Sequence, residues 1–172
     1  VGDLLNFFTN RFERFMEEKG FRYDIVDAAV GMGVDDFTDA GKKVEALSSM
    51  ADTEDFKHLV VGGKRVRNIL KKAGDIPELN PTLFTEPAEK ELYFAARAME
   101  EEYNTALERK DYSRAFSLLV SLRPAVDKFF DEVFVMVDDP EVRGNRLALM
   151  LYMDRLFRAS VDLSKIVVEG DK

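Results

Sequence analysis

Leu122–Leu149, LRPAVDKFFDEVFVMVDDPEVRGNRLAL, carries two helix signals on either side of an acidic turn. Val126, Phe129, Phe130, Val133, Phe134 and Val137 recur at spacings of three and four. That period predicts one apolar helix face running to Val137, with Asp127, Lys128, Asp131 and Glu132 off it. Asp138 or Asp139 then stands where an N-cap oxygen accepts amide hydrogen bonds, and Pro140 suits the first turn that follows. Leu147, Met150, Leu151, Leu156 and Phe157 give the second helix its own apolar face. Two such faces joined by a short turn cover each other. The expected core of the pair is therefore Phe129, Phe130, Val133 and Phe134 against Leu147 and Leu151.

The same period extends outward through the chain. Helices are predicted over Asp3–Lys19, Asp24–Val30, Asp36–Met50, from about Thr53 to Ala73, over Glu89–Arg109, and from Tyr112 into the Leu122 region, where Pro124 breaks the run. The first has an apolar stripe of Leu4, Phe7, Phe8, Phe12, Phe15 and Met16, and Gly20 closes it. Between the fourth and fifth, Asp75–Pro87 holds three of the five prolines and reads as a loop. Strand signals are weak. The expected fold is an all-α helical bundle, with residues 1–172 as a single domain.

Composition limits function. The chain has 172 residues, 46% of them hydrophobic and 34% charged, which suits one globular core. With no cysteine there is neither a disulfide framework nor a thiolate metal site, in keeping with a reducing cytoplasm. No apolar run reaches the length of a membrane span, so no membrane partner is expected. A first residue of Val1 instead of Met is expected of a piece excised from a longer protein. The net charge of −8 works against nucleic-acid binding unless the cations cluster.

They do cluster. Lys64-Arg65-Val66-Arg67-Asn68-Ile69-Leu70-Lys71-Lys72 carries five positive charges and no acidic residue. At 100° per residue, Val66, Ile69, Leu70 and Ala73 share one arc. Lys64, Arg67, Asn68 and Lys71 share the opposite arc, with Arg65 and Lys72 at its edge. Such a strip can position phosphates, and Asn68 offers a donor and an acceptor to a base edge. The same strip also suits a merely solvated face whose lysines complement the helix dipole. Arg143 and Arg146, beside Asn145, are equally open to structural ion pairing or to RNA contact. Asp127 and Asp131 are best read as a solvated flank, or as partners for Arg143 and Arg146. His58, the single histidine, reads as a surface or boundary residue, and no nucleophile–base set or metal-ligand spacing accompanies it. No catalytic and no metal residue is expected.

Taken in order, these segments resemble one family. VDKFFDEVFVMVDDPEVRGNRLALM is similar to a signature segment of the carboxy-terminal anticodon-binding domain of the bacterial glycyl-tRNA synthetase beta subunit. KRVRNILKK, RFERFMEEKGFRYDIVDAAV and NPTLFTEPAEKELY resemble further stretches of the same domain, in the same order and over nearly the whole chain. The resemblance implies an all-helical domain that holds glycine tRNA by its anticodon arm, in a holoenzyme with glycine–tRNA ligase activity. It implies no cofactor in this chain, with ATP and Mg2+ on the alpha subunit. It also implies the alpha subunit and the rest of the beta subunit as partners. The residues expected to meet RNA are Lys64, Arg65, Arg67, Asn68, Lys71, Lys72, Arg143 and Arg146. A helical protein-interaction module with no RNA role is the competing expectation.

Overall fold

The computed structural model describes residues 1–170, and among these it holds eight α-helices and no strand. They are α1 (Gly2–Glu18), α2 (Tyr23–Val30), α3 (Phe37–Met50), α4 (Glu54–Lys71), α5 (Pro87–Glu108), α6 (Tyr112–Val120), α7 (Arg123–Glu132) and α8 (Pro140–Phe157). Several helix starts follow from side chains that satisfy the free amides of a first turn. Asp36 accepts from Thr38 N, Asp111 from Arg114 N, and Asp139 from both Glu141 N and Val142 N. Gly20 closes α1 at φ +98°, a conformation that costs glycine little. Pro124 separates α6 from α7, as its missing amide hydrogen requires.

Four helices fix the direction of the bundle. Arg123 pairs with Asp55, and the Arg65 guanidinium lies 4.5 Å from the Phe130 ring centroid, so α4 and α7 run parallel. Between these contacts a Cβ on Gly62 would stand 2.9 Å from Val126 Cγ1, so glycine there permits the close approach. Glu89 meets Arg146, and Tyr103 donates to the Leu156 carbonyl at 2.8 Å, so α5 and α8 also run parallel. Gly63 lies against Phe157, and the Arg67 charge acts on Asp154, which sets α4 antiparallel to α8. The C-termini of α4 and α7 and the N-termini of α5 and α8 therefore meet at one end. The core between them includes Phe56, Leu59, Leu92, Phe116, Phe129, Leu149 and Met150, all buried.

Two expectations are corrected. The helix predicted to reach Val137 stops at Glu132, and Val133 is extended at φ −116°, ψ 125°. Beyond it Val133 and Val135 are buried while Phe134 and Met136 are exposed, and the chain bends at Val135 and Met136. Phe134 is 71% exposed and takes no part in the core expected of it. The second correction concerns α1. Met16 is buried and Phe12 packs on the core, but Leu4, Leu5, Phe7, Phe8 and Phe15 are exposed, so the predicted stripe is mostly uncovered.

Asp24 ties the end of the chain to α2. Its carboxylate takes two hydrogen bonds from Arg22, at 2.6 and 3.0 Å, and one from Val167 N at 2.8 Å. Burial opposes its ionisation, but the Arg22 and Val167 bonds outweigh it and hold the carboxyl below its usual range. A depressed carboxyl contributes stability that is complete above the unfolded value, about 3.9, and is lost as pH falls through the lower folded value. Asp24→Asn is thus expected to flatten the acid limb of the stability profile. Urea unfolding across about pH 2–5 checks it, and an unchanged acid slope would count against this anchor.

Candidate nucleic-acid interface

The convergent end gathers the cationic turns of α4, the irregular Val133–Val137 segment, the first turns of α8, and the loop between α4 and α5. That loop lies along α8. Asn80 N donates to Asn145 Oδ1 at 2.8 Å, and a Cβ on Gly144 would come within 3.0 Å of Pro77 Cγ. Gly144 thus admits the proline-bearing loop to the helix start.

The cationic strip is rotated from its expected position. The outward arc of α4 is Val61, Arg65, Asn68 and Lys72, with Lys71 beside it, all exposed. Lys64 is partly buried. Arg67 turns to the flank facing α8, where its Nη1 is enclosed without a hydrogen bond and its charge acts on Asp154. The cause is that α4 packs on α7 along one side and α8 along another. Its covered arc is wider than the apolar stripe alone implies, and it takes in Arg67. Burial pushes the Asp154 carboxyl above its ordinary value, while Arg67 and Arg158 pull it down. Arg67 is thus engaged inside the fold as much as at its surface.

The two arginines in the first turns of α8 have structural partners. Arg143 Nη1 donates to the carbonyls of Val137 and Asp138 at 2.9 and 3.2 Å, closing the turn before α8. Arg146 is only 5% exposed and does not reach solvent as an RNA contact would. Its Nε donates to Glu89 Oε1 at 3.1 Å, its Nη2 to Thr85 Oγ1 at 3.0 Å, and its Nη1 to the Phe134 carbonyl at 2.7 Å. The Glu89 Oε2 accepts from Thr85 N, Thr85 Oγ1 and Glu86 N, which caps α5. One buried ion pair therefore joins the starts of α5 and α8 to the backbone of the irregular segment. Sequence reasoning gave Arg146 its even choice between pairing and RNA, but it did not find Glu89, 57 residues away.

Asp127 pairs with Arg123 at 3.2 Å and lies 4.0 Å from His58, so its partners are not Arg143 and Arg146. A cleft of about 710 Å³ opens at the other end of α4, lined by Arg22, Tyr23, Asp52, Lys57 and His58 among others. Its charges are of both signs, and none of the expected RNA-facing residues reaches it.

The α4 strip, the irregular segment and α8 all fall within residues 60–168, and over those residues the chain matches the DALR anticodon binding domain. The chain belongs to the DALR anticodon binding domain family. The helices α1 to α3 precede the matched part of this DALR chain, and the match opens within α4, just before the cationic turns. Among curated proteins it is 40% identical over 164 residues to the glycine–tRNA ligase beta subunit of Citrifermentans bemidjiense, covering 95% of this chain and 24% of that protein. The beta subunit of Geotalea uraniireducens is 39% identical over 165 residues, covering 96% and 24%. That of Acidobacterium capsulatum is 37% identical over 174 residues, covering 95% and 25%. The DALR chain spans about a quarter of the length of these relatives. No helix among its described residues is long and apolar enough to cross a membrane.

Proposed function

We propose that this chain is the anticodon-binding part of a glycine–tRNA ligase beta subunit in the cytoplasm, and that it holds glycine tRNA by its anticodon arm. The observation that carries the reading is the exposed Arg65, Asn68, Lys71 and Lys72 surface on the first helix of the family match. Cations on a rigid helix supply the phosphate-neutralising contacts that position an RNA. Unpaired loop bases can then be splayed and read. The reading puts no catalytic group in this chain. It assigns glycine activation, with ATP and Mg2+, to an alpha subunit. The uncovered apolar side of α1 favours a protein contact beside the RNA one, with the alpha subunit or the remainder of the beta subunit as partner.

A titration of the chain against glycine tRNA, and against the same tRNA with changed anticodon bases, tests this at two salt concentrations. Salt-sensitive binding that weakens with the changed anticodon is expected. Salt-insensitive binding of a protein partner, with none of RNA, would support an interaction module instead. A second result follows from charge. Lys71→Ala with Lys72→Ala is expected to weaken tRNA binding and lower the magnitude of the log K against log salt slope by about 1–2. The melting temperature should change little, since both side chains are exposed. An unchanged slope would remove these lysines from the interface.

A further inference from the structure

Phe134 is the most exposed aromatic side chain among the described residues, at 71%. It is also held in place. Val133 and Val135 on either side are buried, and the Phe134 carbonyl accepts a 2.7 Å hydrogen bond from the buried Arg146 guanidinium. The chain between these two buried valines leaves the ring on the solvent side. A backbone clamped by an internal ion pair thus displays a ring to solvent, and packing does not account for that ring.

The position of the ring is set by the helix directions. Because α4 and α7 run parallel, the segment after α7 lies at the end of the bundle where α4 presents Lys71 and Lys72. Of the acidic residues in the adjoining turn, Asp139 accepts from the amides of Glu141 and Val142 as the cap of α8, and Asp138 is exposed beside it. We propose that Phe134 is a stacking platform for an unpaired base of the bound RNA. The assignment rests on the RNA reading above. A base has a π-face whatever its identity, and stacking on an aromatic side chain suits single-stranded loops and not paired stems. A ring whose backbone is already fixed loses little freedom on contact, which favours binding through preorganisation.

The test compares Phe134→Ala, Phe134→Leu and Phe134→Tyr in the 172-residue chain. The probes are glycine tRNA and a fully base-paired RNA of similar length. Alanine and leucine are expected to weaken tRNA binding about tenfold or more, and tyrosine to keep it within about twofold. The salt slope should stay that of the parent, because no charge is removed, and binding of the paired RNA should not change. Thermal unfolding of all three should match the parent. Equal tRNA affinity for the parent and Phe134→Ala, in a chain whose binding still weakens with Lys71→Ala and Lys72→Ala, overturns the stacking assignment alone. Leucine binding as well as phenylalanine also overturns it, since the contact would then be merely apolar. A parent chain that binds no tRNA overturns the RNA reading and the stack together.

Discussion

Glu89→Ala is expected to lower the unfolding free energy by about 3–5 kcal/mol, and Arg146→Ala by a similar amount. Glu89 is 1% exposed and Arg146 5%, so removing either leaves its partner charged in a region water does not reach. The loss is compounded for Glu89, whose other oxygen caps α5 through Glu86 N and Thr85. The cost belongs to the orphaned charge more than to the attraction itself. A paired replacement by apolar residues of similar size, Glu89→Leu with Arg146→Met, should therefore be less damaging than the sum of the single changes. Urea unfolding of the two singles and the double gives the comparison. Single changes costing under about 1 kcal/mol would mean that the pair is solvated after all.

Phe129→Ala and Phe134→Ala form the second contrast. Phe129 is 0% exposed and meets the Phe130 ring at 5.4 Å between centroids. Its truncation is expected to cost about 3–5 kcal/mol through lost transfer and an unfilled cavity. Phe134→Ala should fall within about 0.5 kcal/mol of the parent, as exposed substitutions do. A continuous helix to Val137 would place both rings on one covered face and make both changes expensive. The pair of measurements therefore decides where α7 ends.

That contrast also shows what could be read from residues alone. Helix starts were legible where the cap is local, as at Asp36, Asp111 and Asp139, because the amide partners lie within three residues. The family resemblance and the all-helical class were legible too. The stretch Val133–Val137 fits two periods at once. Val133 and Val137 continue the four-residue spacing from Phe129, while Val133, Val135 and Val137 alternate with Phe134 and Met136. The β-branched alternation was the available signal for a non-helical segment. The non-helical course is held in the fold by a contact outside the segment, the Arg146 bond to the Phe134 carbonyl. Arg67 was misplaced on its face for a related reason. A helical wheel shows the direction of a side chain but not how many neighbours the helix has, and α4 has α7 on one side and α8 on another.

The uneven anchoring of α1 should appear as a gradient of amide hydrogen exchange. Only Met16 is buried in this helix, with Phe12 packed nearby, so its last turns are tied to the core and its first turns are held by little beyond their own ladder. Such turns open with a free energy near that of an isolated helix, whereas α4, packed against α6, α7 and α8, opens only with the whole molecule. Two helices of 17 and 18 residues would then exchange on very different timescales, with the rate along α1 falling from its first turn towards Met16.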